Sequence, residues 1–286
     1  MDHNPHNTNG FEPVLNTQFT GKTLVVEDSR TNQKLITILL QKLGFEVEIA
    51  ENGQEAVDKV ADNNFDLIFM DMQMPIMNGY EATKILRERN VYTPIIALTA
   101  NAMKGDEEKC LSAGCDSYLS KPINRDHLLV TINTQLQKSS DNINNQLVDA
   151  ADQIEQLNFM CKQAAETIDN SIPKIDLEAA LRTCGDEQVV CKIAQAIVEQ
   201  GHETFDLLDT AVKEKNAKDI LLYAHRLKGN AMTIGASGFA EQAGQVEECG
   251  RLEDVQKAAS LIADLKSEFD RLISFLSEKD WIDKIK

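Results

Sequence analysis

The sequence predicts two folded units of different class: an α/β domain on a five-stranded parallel sheet, followed by an all-α four-helix bundle. Three observations carry the prediction. From residue 23 to about residue 138, five short strand-like runs alternate with five amphipathic stretches, the pattern of strands joined by crossover helices. The runs "TLVV", "LIFM" and "PIIALT" are continuously apolar, as strands covered on both faces must be. Beyond Pro173 nothing resembles a sheet, and helical patterns follow one another across short breaks. A chain of 286 residues has room for one or two such domains.

In chain order, "TLVV" leads into a helical pattern carrying Leu35, Leu39 and Leu43, which Gly44 stops. "FEVEIA" is the second strand and "QEAVDKVADN" the second helix. Next come "FDLIFM", a helix from about Tyr80 to Arg89, "PIIALT", and a helix over "MKGDEEKCLSAG". The strand "DSYLS" follows, then a last helix with Leu128, Leu129, Ile132 and Leu136. The polar, turn-like "KSSDNINN" opens a linker. Within it Ile143, Leu147, Ala151, Ile154, Leu157, Cys161, Ala165 and Ile168 form a drifting stripe. That spacing predicts an amphipathic helix, docked on a domain or paired with another chain, with docking the safer reading. The bundle helices cover roughly 187–214, 217–232, 236–249 and 254–277. The division expected is a polar tail over 1–20, the α/β domain over 21–138, a linker over 139–174 and the bundle over 175–286.

Composition narrows the function. No run approaches the roughly 18–20 apolar residues of a membrane span, and "MDHNPHNTNG" lacks the basic and apolar segments of a secretory signal. A cytosolic chain is the simplest reading. A formal charge of −17 argues against nucleic acid as a partner, whose phosphates need a basic surface. Solubility explains most of that charge, which is also compatible with acids gathered round a cation. The six cysteines show no CxxC pair or metal spacing and read as free thiols in a reducing compartment.

In a parallel sheet, functional groups collect beyond the carboxyl ends of the strands. Those ends carry Glu27 and Asp28 after "TLVV", Asp71 after "LIFM", Thr99 after "IIAL" and Lys121 after "SYLS". Any one acid could be no more than a helix cap; the full set on one rim points to a hard cation such as Mg²⁺ among the carboxylates.

The same stretches, "VVEDS", "FMDMQMPIMNGYEAT", "PIIALTANAM" and "GCDSYLSKPI", resemble the receiver domain of two-component signalling, over about 21–138. The resemblance implies a flavodoxin-like, doubly wound fold. It makes Asp71 the phosphoryl acceptor, with Glu27, Asp28 and the Gln73 main-chain carbonyl helping it hold Mg²⁺. Lys121 would bind a phosphoryl oxygen, Thr99 would bond to the phosphoryl group, and Tyr118 would be the aromatic switch. It also implies a cis Lys121–Pro122 peptide, which proline makes accessible. A haloacid-dehalogenase-type phosphatase would want an acid where Gln73 stands, and a flavodoxin-like cofactor domain would want a phosphate loop where the acidic "EDS" stands.

The bundle offers "AHRLKGNA". Ile220, Ala224, Leu227 and Ala231 make its core stripe, and His225 lies one step round, about 100° away, with Lys228 and Gly229 beside it. A phosphoryl-accepting histidine needs a neutral ring nitrogen, and no partner acid is required. Spacing alone favours an ordinary surface histidine. However, "AHRLKGNAMTIGASGFAEQAGQVEE", behind "ALRTCGDEQVVCKIAQAIVEQ", resembles a histidine-containing phosphotransfer (HPt) domain over about 175–286. The signature maps to His225, Lys228, Gly229 and Gly235, with Asn230 where a small residue is commoner. The resemblance implies that His225 is the phosphohistidine, that Lys228 holds a phosphoryl oxygen and that Gly229 leaves room for a partner. His3, His6, His127 and His202 read as structural or solvated.

Together the resemblances imply a phosphorelay protein without an ATP-dependent kinase domain of its own, since no segment resembles one. Its expected partners are an upstream histidine kinase domain and a downstream receiver docking at His225. The chain reads as the C-terminal part of a hybrid histidine kinase, cytoplasmic or the cytoplasmic end of a membrane-bound sensor. The alternatives are a non-catalytic interaction module and an Asp71-centred metal-dependent phosphatase.

Overall fold

The computed structural model describes residues 18–99, 104–138 and 173–286. The helix expected over 143–169 lies outside the described residues. Strands β1 (Lys22–Val26), β2 (Glu46–Ala50), β3 (Leu67–Asp71), β4 (Ile95–Thr99) and β5 (Ser117–Ser120) form one sheet, ordered β2-β1-β3-β4-β5 and parallel throughout. Helices α1 (Arg30–Lys42), α2 (Gly53–Asp62), α3 (Gly79–Glu88) and α4 (Lys104–Ala113) connect the strands, and α5 (Arg125–Lys138) follows β5. The strand order reverses between β1 and β3, which opens a crevice at their carboxyl ends.

Strand side chains alternate between two cores, as the period of two requires. Val25, Leu67, Phe69, Ile96 and Leu98 pack towards α1 and α5. Leu24, Val26, Ile68, Met70, Ile95 and Ala97 pack with residues of α2, α3 and α4 on the other face. Asn52 caps α2, and Asn78 with Glu81 makes a capping box on α3.

The second half is helical: a short α6 (Leu177–Cys184), then α7 (Glu187–Lys213), α8 (Ala217–Thr233), α9 (Ser237–Arg251) and α10 (Val255–Leu276). The four long helices begin within one residue of their expected starts. Helix α6 is additional; its eight residues are too few for a periodic pattern, and it is held by the Asp176 cap and stopped at Gly185 with φ 86°. Asp186, Asn216 and Asp254 cap α7, α8 and α10. The stripe Ile220, Ala224, Leu227 and Ala231 is buried. Gly235 turns the chain after α8 at φ 72°, where a Cβ would meet the Asp176 carbonyl oxygen at 2.1 Å.

Phe205, Phe239 and Phe269 form the aromatic centre of the bundle, with centroids 4.9 and 5.5 Å from Phe269. Gly201 on α7 admits the Phe269 ring, because a Cβ there would fall 1.7 Å from its Cζ. Gly201→Ala gains up to about 1 kcal/mol of helix propensity but overpacks the core, at about 1–3 kcal/mol. Net destabilisation is expected in urea denaturation, and a stabilised variant would contradict this packing.

The two halves are docked. Helix α1 packs on α7, so one apolar core runs from the α1 and α5 face of the sheet into the bundle. Polar contacts cross the same seam. Thr31 Oγ1 donates to Gln200 Oε1 at 3.2 Å, and Lys42 pairs with Asp186 at 2.5 Å. Among the described residues no helix is long and apolar enough to cross a membrane.

Candidate functional site

The parallel register brings the strand ends to one rim. A carboxylate oxygen from each of Glu27, Asp28 and Asp71 lies within 4.8 Å of the others. Lys121 Nζ reaches into this group, 2.6 Å from Glu27 Oε2 and 2.7 Å from Asp71 Oδ2. The Gln73 backbone N–H donates to Asp71 Oδ1 at 3.0 Å. Glu27 Oε1 accepts from the Ser29 N–H at 3.2 Å and Asn32 Nδ2 at 3.1 Å. The Lys121–Pro122 peptide is cis, and the Lys121 N–H donates to the Thr99 carbonyl at 2.7 Å.

Two cations, Lys121 and the Arg226 that reaches Asp28 from the bundle, do not balance three acids. Burial pushes Glu27 up to about 7, with Lys121 opposing and Asp71 and Asp28 reinforcing the rise. Burial also raises Asp71 above the usual carboxylate range, again against Lys121. Burial alone would lower Lys121, but the two acids outweigh it and hold its ammonium charged. The residual negative charge and all-oxygen donors fit a hard divalent cation. Thr99 is buried at the end of β4. Tyr118 sits mid-strand opposite Ala97 and packs on the α2–α4 side.

His225 on α8 is paired. Its Nδ1 lies 3.0 Å from Glu247 Oε1 on α9, and Lys228 Nζ lies 3.1 Å from Glu247 Oε2. Burial pushes the Glu247 carboxyl up, but its bonds to His225 and Lys228 win and hold it down at about 2. A carboxylate only accepts, so in the neutral ring Nδ1 carries the proton towards it and the lone pair is on Nε2. A Cβ on Gly229 would meet nothing within 4 Å, so the helix is bare beside His225.

The docking joins these two groups. One cleft is lined by Glu27, Asp28, Asp71 and Lys121 on one wall and by His225, Lys228 and Gly229 on the other. Across it Arg226 Nη2 donates to Asp28 Oδ2 at 2.5 Å, and Ser29 Oγ donates to Asn230 Oδ1 at 2.9 Å.

The family model for the response regulator receiver domain matches residues 23–133, and that for the Hpt domain matches residues 192–275. The polar-differentiation response regulator DivK of Brucella anthropi is 42% identical over 115 residues, which are 40% of this chain and 94% of DivK. The chain belongs to the response regulator receiver family. Its receiver is followed by an Hpt domain, the pair of domain types found in phosphorelay signalling.

Hybrid signal transduction histidine kinase I of Dictyostelium discoideum is 44% identical over 147 residues, 48% of this chain but 8% of that protein. The chain likewise spans 3% of hybrid signal transduction histidine kinase G from the same organism. Among solved structures, the receiver of sensor histidine kinase PA1611 from Pseudomonas aeruginosa PAO1 holds a magnesium ion in its active-site cleft. It is 39% identical, with a TM-score of 0.39 and coverage of 42% of this chain and 99% of that one.

Sequence reasoning assigned His225 no acid, whereas the Hpt domain supplies Glu247. The signal was present: Glu247 shares a buried face with Ala240, Ala243 and Gly250, and a lone acid there needs a partner. Arg226, Ser29 and Asn230 were also missed as contacts, because a linker sequence does not encode which surfaces meet.

Glu247→Gln tests the pairing. A depressed carboxyl contributes stability that is full above about pH 4.5 and lost as pH falls towards about 2. The variant is therefore expected to be less stable at pH 7 by about 1–2 kcal/mol, after screening at the cluster's wet edge, and to approach the parent as pH falls below 4.5. A pH-independent gap in urea denaturation would contradict the assignment.

Proposed function

We propose that the chain is a phosphorelay intermediate in which Asp71 accepts a phosphoryl group and His225 takes it onward or returns it. The observation that carries the reading is the shared cleft, which sets Asp71 and His225 on facing walls of one chain. The boundaries adopted are 21–138 for the receiver and 175–286 for the Hpt domain, with a linker between.

On the receiver wall, Asp71, Glu27, Asp28 and the Gln73 carbonyl would hold Mg²⁺, which supplies positive charge against the transferring oxygens. The Asp71 carboxylate attacks phosphorus on a donor phosphohistidine. A P–O bond forms as the P–N bond breaks, and the imidazole leaves with the electron pair. Lys121 bonds a phosphoryl oxygen in place of one of its two acids and neutralises charge in the transition state. Thr99, which ends β4, and Tyr118 on β5 would carry the new charge on Asp71 into surface shape.

Onward transfer uses the Hpt wall. Nε2 of His225 attacks phosphorus, a P–N bond forms, the P–O bond to Asp71 breaks, and its carboxylate departs with the electron pair. Nδ1 keeps its proton, which it donates as a hydrogen bond to the Glu247 carboxylate, whose charge stabilises the phosphoimidazolium. No proton has to leave during the step. Lys228 screens the phosphoryl oxygens, and Gly229 keeps the approach clear. Acyl phosphate and phosphohistidine are both high-energy species, so the relay runs in either direction. The donor is a histidine kinase domain and the acceptor a second receiver, reached when the resident receiver swings away. A cytoplasmic setting is supported by the free thiols among the described residues.

Supplying a phosphorylated kinase domain with Mg²⁺ and following the label tests the reading. Alkali-labile label on Asp71 and acid-labile label on His225 are expected. With a competent donor, no label on either residue overturns the relay.

A further inference from the structure

We propose that Asn230, helped by Arg226, recognises the Asp28–Ser29 pair after β1, and thereby makes the chain's own receiver the preferred occupant of the His225 face. This rests on the relay reading and names the partner it selects: a receiver with a small hydroxyl residue directly after its second β1 acid.

Three observations carry it. Ser29 is the N-cap residue of α1, yet its side chain makes no cap bond. The hydroxyl is turned across the seam to Asn230 Oδ1, although serine at this position normally satisfies its own helix. Both residues are buried, Ser29 at 2% and Asn230 at 4% exposure, so water does not replace the bond while the domains are docked. A bulky residue at position 29 has no room, and an apolar one leaves the buried amide oxygen unpaired, which is how a polar site rejects the wrong partner.

Arg226 supplies charge but not selectivity. It pairs with Asp28, and its Cζ lies 5.6 Å from the Tyr223 ring centroid. Its Nε is buried without a hydrogen-bond partner, so the guanidinium is held by Asp28 and Tyr223. Any receiver with an acid at that position satisfies Arg226; the neighbouring hydroxyl is what Asn230 adds. On undocking, Ser29 is free to cap α1 and Asn230 to take water, so the same atoms serve an open and a closed state.

The test uses the full chain as Ser29→Ala, Asn230→Ala and the double variant. Label is placed on Asp71 with a small phosphodonor and Mg²⁺, its appearance on His225 is timed, and small-angle scattering reports docking. Each single variant should slow Asp71-to-His225 transfer about tenfold and expand the chain, with the double variant no slower than either single one. Because the substitutions lie on different domains, a shared and non-additive effect is not loss of one fold. Singles that match the parent, or a double variant slowed by the product of both, overturn the proposal while leaving the relay intact. If the parent transfers nothing to His225 but the variants still expand, the recognition pair stands and the relay reading falls.

Discussion

Asp71→Asn is expected to abolish phosphoryl uptake from a kinase, by on the order of a thousandfold or more, because the amide removes the nucleophile. His225 should go dark in the same experiment, since on the proposed route its phosphate arrives through Asp71. The fold should survive. The substitution removes a carboxyl that burial already holds above its usual range, and Glu27 still pairs with Lys121. A small phosphodonor that modifies imidazoles directly should still label His225 in the variant. The check is an acid and alkali wash of each labelled chain. Undiminished kinase-dependent label on His225 would show that Asp71 is not on the route.

Lys121→Met is expected to have the largest effect on stability. The ammonium bridges two buried acids at 2.6 and 2.7 Å, with its own side chain 11% exposed. Removing one partner from a buried ion pair typically costs about 3–5 kcal/mol, since the other charge is left uncompensated. Protons relieve that cost by neutralising the acids. Without Lys121 both Glu27 and Asp71 rise further, the folded variant binds more protons than its unfolded chain, and its stability recovers as pH falls. Urea denaturation should therefore give a gap of about 3 kcal/mol or more at pH 7.5 that narrows by pH 5.5. Uptake at Asp71 should fall on the order of a hundredfold where the variant is folded. A small, pH-independent gap would contradict the geometry.

Much of this architecture was legible in the residues because it is local. Continuous apolar runs give buried strands, and the Ile220 to Ala231 stripe gives a buried helix face. In a parallel sheet the carboxyl ends of β1, β3 and β5 lie on one rim, so Glu27, Asp28, Asp71 and Lys121 fall together once the strands are known. What escaped depends on distance. Glu247 meets His225 across 22 positions, through the packing of α9 on α8. Ser29 meets Asn230 across 201, through a docking that no periodicity records. Asn230 looked like a minor departure from a pattern because its neighbour lies in the other domain. Helix α6 was missed for the opposite reason, being too short to show a period.

The central claim is that one chain carries phosphate from Asp71 to His225 across its own cleft. The direct measurement loads Asp71, removes the donor, and follows acid-labile label on His225 over about a hundredfold range of chain concentration. Docked domains react at a fixed effective concentration, so the account predicts a first-order rate that does not change on dilution. A rate that falls in proportion to concentration would assign the transfer to separate chains and contradict it.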